Sequence, residues 1–321
     1  MSIKTAIIGC GIMGRRMLEQ MNKHKGYTPV AVWDPNLAAC KEAQRSVPEI
    51  TIARDVHSAI QAADLVYLAC PPAPRKAIAL SAAAAGKSVF LEKPLGVDIA
   101  DSEDLVLKLT SLGVPTAVNF TQASGTALSE ASQAVQNGAL GDLIGADIIV
   151  TYQAWPREWQ EAADWLRLRA EGGMTREVIS HFLFFSERIL GPISVKWAHP
   201  SYPQGTDLCE THLLARLETA KGQPISIMAS VGGAQPDRQE LTIKGKTKSR
   251  RISEFYIDAV SDGGDFLNVG EIPQDPRSVS LIAQLDDLLL CINRQPHRLA
   301  TLQEALRVQK LVEAMLLGHA T

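Results

Sequence analysis

Residues 3–14 read IKTAIIGCGIMG and contain the feature that decides the fold. An apolar run, Ile3–Ile8, leads directly into three glycines, Gly9, Gly11 and Gly14, spaced as G-x-G-x-x-G. Methionines that then recur at every fourth residue predict a helix. A glycine loop between a buried strand and a helix is typical of dinucleotide binding. Its first glycine permits a tight turn, its second lets a pyrophosphate approach the backbone, and its third lets helix and strand pack closely.

The next apolar run ends in Asp34, twenty residues after the last of these glycines. A carboxylate at that place can accept hydrogen bonds from the adenosine ribose hydroxyls, and it repels a 2′-phosphate. The backbone amides near Ile12 and Met13, where the helix begins, are expected to attract the phosphates. NAD is therefore the predicted cofactor in preference to NADP. Arg15 and Arg16 keep NADP open as the alternative, because either could turn toward a phosphate.

The rhythm of strands and helices divides the chain into two parts. Up to about residue 120, short apolar runs alternate with helical patterns, which predicts right-handed βαβ units and a doubly wound parallel sheet. Beyond that point, several runs alternate polar and apolar residues, which predicts an α+β domain on a largely antiparallel open sheet with one covered face. The sequence thus predicts a Rossmann domain over 1–120 and a substrate and oligomerisation domain over 121–321. The final helix could pack back on the first domain.

The strand prediction is specific enough to compare with a structure. The predicted strands are Ile3–Ile8, Val30–Trp33, Leu65–Ala69, Ser88–Leu91, Val114–Val118, Ile144–Tyr152, Ser194–Ala198, His212–Leu217, Ile225–Val231, Glu240–Ile243 and Arg251–Ile257. One helical pattern, Thr175–Leu190, interrupts the later strands.

Composition and charge exclude several classes of partner. The chain has 32 basic and 35 acidic residues, so it lacks the broad positive field of a dedicated nucleic-acid binder. Its five scattered cysteines form no C-x-x-C pair, which argues against a zinc site or a disulfide framework and favours a reducing compartment. Glycine, proline and polar residues interrupt the charge-free stretch Leu109–Ser129. We therefore expect a cytoplasmic protein with no metal, nucleic-acid or membrane partner.

Glu92-Lys93-Pro94 follows the predicted strand Ser88–Leu91, at the carboxyl edge where open α/β sheets bind ligands. Together with the glycine loop, this triplet resembles the Gfo/Idh/MocA oxidoreductases, and the resemblance extends over essentially the whole chain. The other similar segments are Ala69-Cys70-Pro71-Pro72, Val118-Asn119-Phe120, Asn137–Gly141, Gly172-Gly173 through His181, and Leu302–Leu306. The resemblance implies a nucleotide domain and a sheet domain whose open face often supports a homodimer or homotetramer. It also implies a small-molecule substrate held against the nicotinamide.

The resemblance assigns further cofactor contacts to residues at the ends of the later strands. Besides the glycine loop and Asp34, they are Cys70, Pro71, Arg75, Glu92, Lys93 and Asn119. Arg75 stands where the family's cofactor loop often has histidine, so the environment of the cofactor is expected to differ there.

Glu177 and His181 are four residues apart in the predicted helix and share one of its faces. In an arbitrary helix such a pair is more often a local hydrogen bond than a catalytic dyad. The resemblance reverses this interpretation, because the family's aspartate and histidine meet the lysine of the triplet, here Lys93, around the reacting carbon. It implies hydride transfer between nicotinamide and a secondary hydroxyl or carbonyl carbon of a sugar, cyclic polyol or related hydroxy acid. Either His181 or Lys93 can serve as the base.

Two other functions remain open at this point. Some relatives use tightly held NAD for transient oxidation within a glycosidase or epimerase reaction, and others are non-catalytic regulators that bind a dinucleotide. Glu177 replaces the family's usual aspartate, and Phe184 lies where many relatives have a polar residue. These departures put the usual polyol substrate in doubt.

Residues 155–169 are the most unusual part of the chain, with three of its five tryptophans and three arginines. Tryptophan faces can stack on sugars, and arginines bind carboxylates through two parallel hydrogen bonds. We hypothesise that Trp165, with Arg167 or Arg169 as the anchor, binds a substrate that carries a carboxylate. The alternative is a set of core tryptophans with solvated arginines or an oligomer contact.

Overall fold

The computed structural model describes residues 2–318, which form two compact units. One unit runs to Ser124 and resumes over Ser278–Leu306, and the other comprises Gly125–Arg277 and continues from Arg307. The sequence prediction placed a single boundary after residue 120. In the structure residues 121–124 and 278–306 are grouped with the first unit, so the final helix, Leu302–Leu317, is divided between the two units.

The strands and helices alternate in the first unit and are mostly separate in the second. The strands are β1 (Ile3–Ile8), β2 (Tyr27–Trp33), β3 (Thr51–Ile52), β4 (Leu65–Leu68), β5 (Ser88–Glu92), β6 (Thr116–Asn119), β7 (Leu143–Tyr152), β8 (Ile193–Ser201), β9 (His212–Thr219), β10 (Pro224–Val231), β11 (Arg238–Gly245), β12 (Ser249–Ser253), β13 (Ile257–Ser261) and β14 (Leu267–Asn268). The helices are α1 (Ile12–Lys23), α2 (Leu37–Ser46), α3 (Val56–Ala62), α4 (Pro72–Ala84), α5 (Ile99–Leu112), α6 (Thr126–Gln136), α7 (Ser180–Leu190), α8 (Pro276–Ile292) and α9 (Leu302–Leu317).

The first sheet is parallel, with strand order β3-β2-β1-β4-β5-β6. Its central strands are continuous apolar runs because both of their faces are buried: every residue of β4 and β5 is buried. Parallel strands of one sheet end at the same edge, so the loops after β1, β2, β4, β5 and β6 share that edge. Five of the segments that the sequence assigns to the cofactor lie there.

Helix α8 belongs to the first unit because its apolar face completes that unit's core. Leu281, Leu285 and Leu288 are buried in the same cluster as Ile7 and Met17. The helical spacing of these leucines is visible in the sequence. No local feature of residues 278–306, however, indicates which domain the leucines pack against.

The second sheet has strand order β14-β13-β12-β11-β7-β10-β9-β8, and only the β7–β10 pair is parallel among the paired strands of residues 2–318. The predicted fold class is thereby confirmed. One strand prediction is wrong: Arg251–Ile257 is divided between β12 and β13. The chain reverses between these strands at Glu254 and Phe255, which have φ values of 52° and 67°. Because side chains rarely adopt this left-handed conformation, the pattern of polar and apolar residues did not reveal the turn.

Candidate active site

The glycine loop after β1 has the shape that a dinucleotide phosphate requires. Gly9 has a φ of 98°, and a Cβ there would lie 2.6 Å from the backbone carbon of Ala69. A Cβ on Gly14 would lie 1.8 Å from the carbonyl oxygen of Gly9, so only glycine lets α1 start this close to the loop. A Cβ on Gly11, in contrast, would meet nothing within 4 Å. The space beside Gly11 is therefore open, as a pyrophosphate would need.

The start of α1 is prepared for an anion. Gly11 is the N-cap residue, so no side chain accepts a hydrogen bond from the first amides, and the first turn carries no acidic residue. Helix N-termini of this kind bind phosphates through their amides and the helix dipole. The residues of the loop and of α1 thus fit the pyrophosphate of NAD.

Asp34 follows β2 and fixes the glycine loop. Its Oδ2 atom accepts a hydrogen bond from the backbone N–H of Cys10 at 2.8 Å, and its Oδ1 atom accepts one from Asn36 at 2.8 Å. A carboxylate has about four lone-pair sites, so two remain for ribose hydroxyls. Nη1 of Arg15 donates to the carbonyl of Cys10 at 2.8 Å, which holds this arginine on the loop rather than toward a 2′-phosphate.

Arg75 connects the loop after β4 to the triplet after β5. Its guanidinium is buried and donates to the carbonyl of Cys70 at 2.6 Å, to that of Glu92 at 2.8 Å, and to that of Pro94. One side chain therefore sets the spacing of Cys70-Pro71 and Glu92-Lys93-Pro94. Direct contact between Arg75 and a cofactor stays a prediction.

A buried polar network includes Glu92, the residue that precedes Lys93. The carboxylate of Glu92 accepts hydrogen bonds from the Tyr67 hydroxyl and, at 2.5 Å, from Nδ2 of Asn119. Oδ1 of Asn119 in turn accepts one from Nε2 of Gln284 at 2.8 Å. Burial raises the pKa of Glu92, and it also raises that of the Tyr67 hydroxyl. This network holds the end of β5, and hence the backbone of Lys93, in one position.

Sequence reasoning missed two members of this network. Tyr67 lies in a strand that is buried on both faces, where a hydroxyl needs a partner, and this signal could have identified it. Gln284 lies 165 residues from Asn119 along the chain, and no local signal connects the two. Asn119 itself was predicted as a cofactor contact, and the structure places its side chain in the network with no exposed surface.

In the second unit, Glu177 and His181 lie at the start of the predicted helix. This start is a π-helical turn, Thr175–Ile179, that continues into α7. Such turns are rare and recur at functional sites. His181 is buried, Glu177 is half-buried, and the imidazole meets the Phe255 ring edge-on with 5.3 Å between the ring centroids.

Buried carboxylates hold the segment before this turn. Glu210 accepts a hydrogen bond from the backbone N–H of Thr175 at 2.8 Å, and a Cβ on Gly173 would lie 2.3 Å from its Oε2 atom. The guanidinium of Arg176 pairs with both oxygens of Glu313 at 2.7 Å and also donates to the carbonyl of Gly172 at 3.0 Å. Gly173 of the predicted signature thus permits close approach of the Glu210 carboxylate, whereas a Cβ on Gly172 would lie 2.2 Å from the backbone carbonyl oxygen of Leu166. Sequence reasoning did not identify these buried charged residues.

The carboxylate of Glu177 has a partner that the sequence prediction lacks. Its Oε1 atom accepts a hydrogen bond from Nε2 of Gln160 at 3.2 Å, and Oε1 of Gln160 accepts one from Nε of Arg157 at 2.9 Å. The residues predicted to bind substrate have other contacts. Arg167 is exposed and forms an ion pair with Asp164, and Arg169 lies 3.9 Å from the centroid of the Tyr202 ring. Trp165, the third residue that was predicted to bind substrate, is half-buried.

Within residues 2–318, no group of three or more His, Cys, Asp or Glu side chains is arranged to hold a metal ion. In the same range, no helix is both long enough and apolar enough to cross a membrane. All five cysteines are free and buried.

Comparison with known proteins adds relatives at low sequence identity. An inositol 2-dehydrogenase of Rhodococcus jostii is 23% identical over 244 residues, which cover 74% of this chain and 65% of that protein. A D-apiose dehydrogenase of Paraburkholderia graminis is 26% identical over 140 residues, covering 43% of this chain and 37% of the relative. The chain therefore matches about two thirds or less of the length of these curated relatives.

Solved structures resemble the whole chain. A scyllo-inositol dehydrogenase from Lactobacillus casei, with bound NAD(H) and scyllo-inositol, has a TM-score of 0.82 and 18% identity, with coverage of 99% of this chain and 97% of that one. An oxidoreductase from Thermotoga maritima has a TM-score of 0.84 and 18% identity, with coverage of 100% and 98%. At these identities the similarity is one of fold. Residues 3–120 match the model of the Gfo/Idh/MocA oxidoreductase family, which is described as having an NAD-binding Rossmann fold.

Proposed function

We propose that the protein is an NAD-dependent dehydrogenase that transfers a hydride between nicotinamide and a secondary hydroxyl or carbonyl carbon. The proposed substrates are sugars, cyclic polyols or related hydroxy acids. The observation that carries the proposal is the position of Lys93. It follows β5 at the same sheet edge as the glycine loop, and the buried hydrogen bonds of Glu92 and Arg75 hold its backbone in place.

Each predicted site residue has its own role in this proposal. Gly9, Gly11, Gly14 and Asp34 hold the dinucleotide, whose nicotinamide supplies the hydride acceptor when it is bound. The ammonium of Lys93 hydrogen-bonds the substrate oxygen and offsets the negative charge that develops on it. His181, or Lys93 itself, takes the hydroxyl proton. Glu177 orients the imidazole and stabilises its charged form.

The experiment that tests this function is an absorbance screen for NADH. Sugars, inositols, sugar acids and aromatic dihydrodiols are offered with NAD and with NADP in parallel. The proposal expects release of NADH with at least one class and a faster rate with NAD. Absence of any reduced cofactor across the screen, or turnover of a substrate without its accumulation, would contradict it.

The cofactor preference depends on Asp34, so we expect Asp34→Ala to change it. Loss of two charge-assisted hydrogen bonds to the ribose should weaken NAD binding by about 10- to 100-fold. NADP binding should fall less, because the carboxylate that repels its 2′-phosphate is gone. Fluorescence titration with both cofactors measures the two Kd values. The ratio of the two Kd values is the decisive quantity. Asp34 also supports the glycine loop, and a damaged loop would weaken the binding of both cofactors equally.

A matched control for this prediction is Asn36→Ala. This change removes the side chain that accepts a hydrogen bond from the backbone N–H of Ala38 at 3.0 Å and leaves the carboxylate in place. It should keep the wild-type ratio of Kd values. An unchanged ratio in Asp34→Ala would mean that this carboxylate does not select the cofactor.

We further propose that the protein is a homodimer or homotetramer, formed through one face of the second sheet. Leu214 and Met228 are paired neighbours on β9 and β10, so their side chains share a face, and they are 52% and 46% exposed. Trp197 on β8, 46% exposed, pairs with Arg216 on the same face. A run of apolar side chains across adjacent strands is typical of a surface that another protein covers.

Substitution of this face should therefore change the oligomeric state. The double variant Leu214→Glu, Met228→Glu is expected to run as a monomer in size-exclusion chromatography with light scattering, because it would bury four carboxylates in a symmetric dimer. Leu107→Glu is the control, since Leu107 is 70% exposed on α5 in the other unit. A double variant that keeps the wild-type mass would place the contact elsewhere.

The five buried free thiols support a cytoplasmic location for the protein.

A further inference from the structure

Three aromatic rings surround the guanidinium of Arg157. Its central carbon lies 5.1 Å from the ring centroid of Tyr152, 5.8 Å from that of Trp155 and 4.8 Å from that of Trp159. Aromatic faces attract a cation without neutralising its charge. We call Arg157 and these three rings the aromatic cage. It holds a positive charge in place and leaves that charge available to a ligand.

The cage is a rigid part of the second unit. Tyr152 ends β7 with its side chain fully buried, and its hydroxyl donates to Oε1 of Gln239. The indole N–H of Trp155 donates to the carbonyl of Leu166 at 3.0 Å. Because two of its walls are fixed by hydrogen bonds to neighbouring backbone and side chains, the cage holds Arg157 with little loss of side-chain freedom on binding.

A hydrogen-bond chain joins the cage to the proposed catalytic helix. Gln160, which is only 2% exposed, accepts a hydrogen bond from Nε of Arg157 and donates one to the carboxylate of Glu177. Glu177 precedes His181 by four residues. One buried side chain thus separates Arg157 from the residue that is proposed to orient the base.

The other nitrogens of Arg157 have no protein partner. Among residues 2–318, neither Nη1 nor Nη2 donates a hydrogen bond and no carboxylate forms an ion pair with this guanidinium. A second arginine, Arg277, lies on the same indole, 5.3 Å from the ring centroid of Trp159, and no ion pair is recorded for it in that range either. Two unpaired cations on one ring repel each other, and a bound anion relieves that repulsion.

We propose that Arg157 is the residue that binds a carboxylate of the substrate, through its two Nη atoms, while Gln160 fixes the position of the guanidinium. This inference rests on the proposed dehydrogenase function and adds an acidic substrate class, such as uronic acids, to it. It replaces the anchors that the sequence suggested. The charge of Arg167 is engaged by Asp164. Arg169 lies over the single ring of Tyr202, and Arg157 is preferred to it because Gln160 connects Arg157 to Glu177.

The test compares acids with their neutral partners: D-glucuronate with D-glucose, and D-galacturonate with D-galactose. Binding to the NAD-loaded protein is measured by calorimetry and oxidation by NADH absorbance. The wild-type protein is expected to prefer at least one acid. Arg157→Gln should weaken binding of that acid by about 10- to 100-fold, the value of a charge-assisted pair, and change its neutral partner less than about threefold.

Two further variants keep the test decisive. Arg157→Lys retains the charge and the contact with the rings but not the two parallel donors, so its loss should be intermediate, which a folding defect would not produce. Arg251→Gln is the matched control, because Arg251 also lies over an aromatic ring, 4.4 Å from the centroid of Phe266, outside the cage. It should bind both members of each pair like the wild type.

Several outcomes overturn the proposal. They are a wild-type protein that does not prefer either acid, an equal loss of both members of a pair in Arg157→Gln, and a loss of acid binding in Arg167→Gln instead. Preference for glucose 6-phosphate without preference for a uronate would also overturn the carboxylate assignment. Binding that depends on Arg157 in the absence of any NADH formation would support the acid site and refute the dehydrogenase function, so the two failures are distinguishable.

Discussion

Lys93→Met and His181→Ala are each expected to lower kcat by about 100-fold or more, with little change in the Kd for NAD. Methionine matches the length of the Lys93 side chain but can neither hydrogen-bond the substrate oxygen nor offset its negative charge. Alanine at position 181 removes the imidazole that can take the hydroxyl proton. Neither change touches the glycine loop or Asp34, so binding of the dinucleotide should be nearly intact.

The measurement is steady-state turnover of the best substrate from the screen, with NAD affinity determined separately. Lys87→Met and His57→Ala are matched controls. Lys87 directly precedes β5, and His57 is exposed on α3, so both variants should turn over like the wild type. Unchanged turnover in both Lys93→Met and His181→Ala would end the catalytic assignment.

A pH profile of the same variants separates the two candidate bases. A base must be in its deprotonated form to accept a proton, so kcat/KM should rise with pH as the base loses its proton and then level off. If His181 is the base, His181→Ala loses that rise along with most of its activity. If Lys93 is the base, the rise persists in His181→Ala with a smaller overall rate.

The fold could be predicted because the buried parallel strands leave a strong local signal. β1 has the predicted bounds, and β5 differs only by the inclusion of Glu92. The sequence did not predict β3, which is two residues long and too short for any periodicity. Nor did it assign α8 to the first unit, because packing of its leucines against β1 and α1 is a tertiary choice that no local pattern encodes.

The candidate site could be predicted only where its chemistry is local. The glycine loop, Asp34, Lys93 and the Glu177–His181 pair follow from short motifs or from resemblance to a family. Gln160 gave no such signal, because a glutamine in a polar loop looks solvated until the structure buries it between Arg157 and Glu177. The three arginines of residues 155–169 looked equivalent in sequence, and only their contacts distinguish them.

The second large effect is expected at Gly14, which lies inside α1. In an ordinary helix, Gly→Ala stabilises by up to about 1 kcal/mol. Here the new Cβ would lie 1.8 Å from the carbonyl oxygen of Gly9, a backbone atom that cannot rotate away. The sign should therefore reverse. We expect Gly14→Ala to lower the free energy of unfolding by about 3 kcal/mol or more and to abolish detectable NAD binding.

Gly11→Ala separates the two consequences of the glycine loop. Its Cβ would meet no protein atom within 4 Å, so the melting temperature of the protein without NAD should stay close to that of the wild type. The methyl group nevertheless occupies the space through which a pyrophosphate must approach the backbone, so NAD binding should weaken by at least about tenfold. Thermal unfolding without cofactor and NAD titration measure the two effects. A Gly11→Ala protein that binds NAD like the wild type would mean that the phosphates do not lie on this loop. A Gly14→Ala protein of normal stability would mean that α1 does not approach Gly9 as closely as the structure places it.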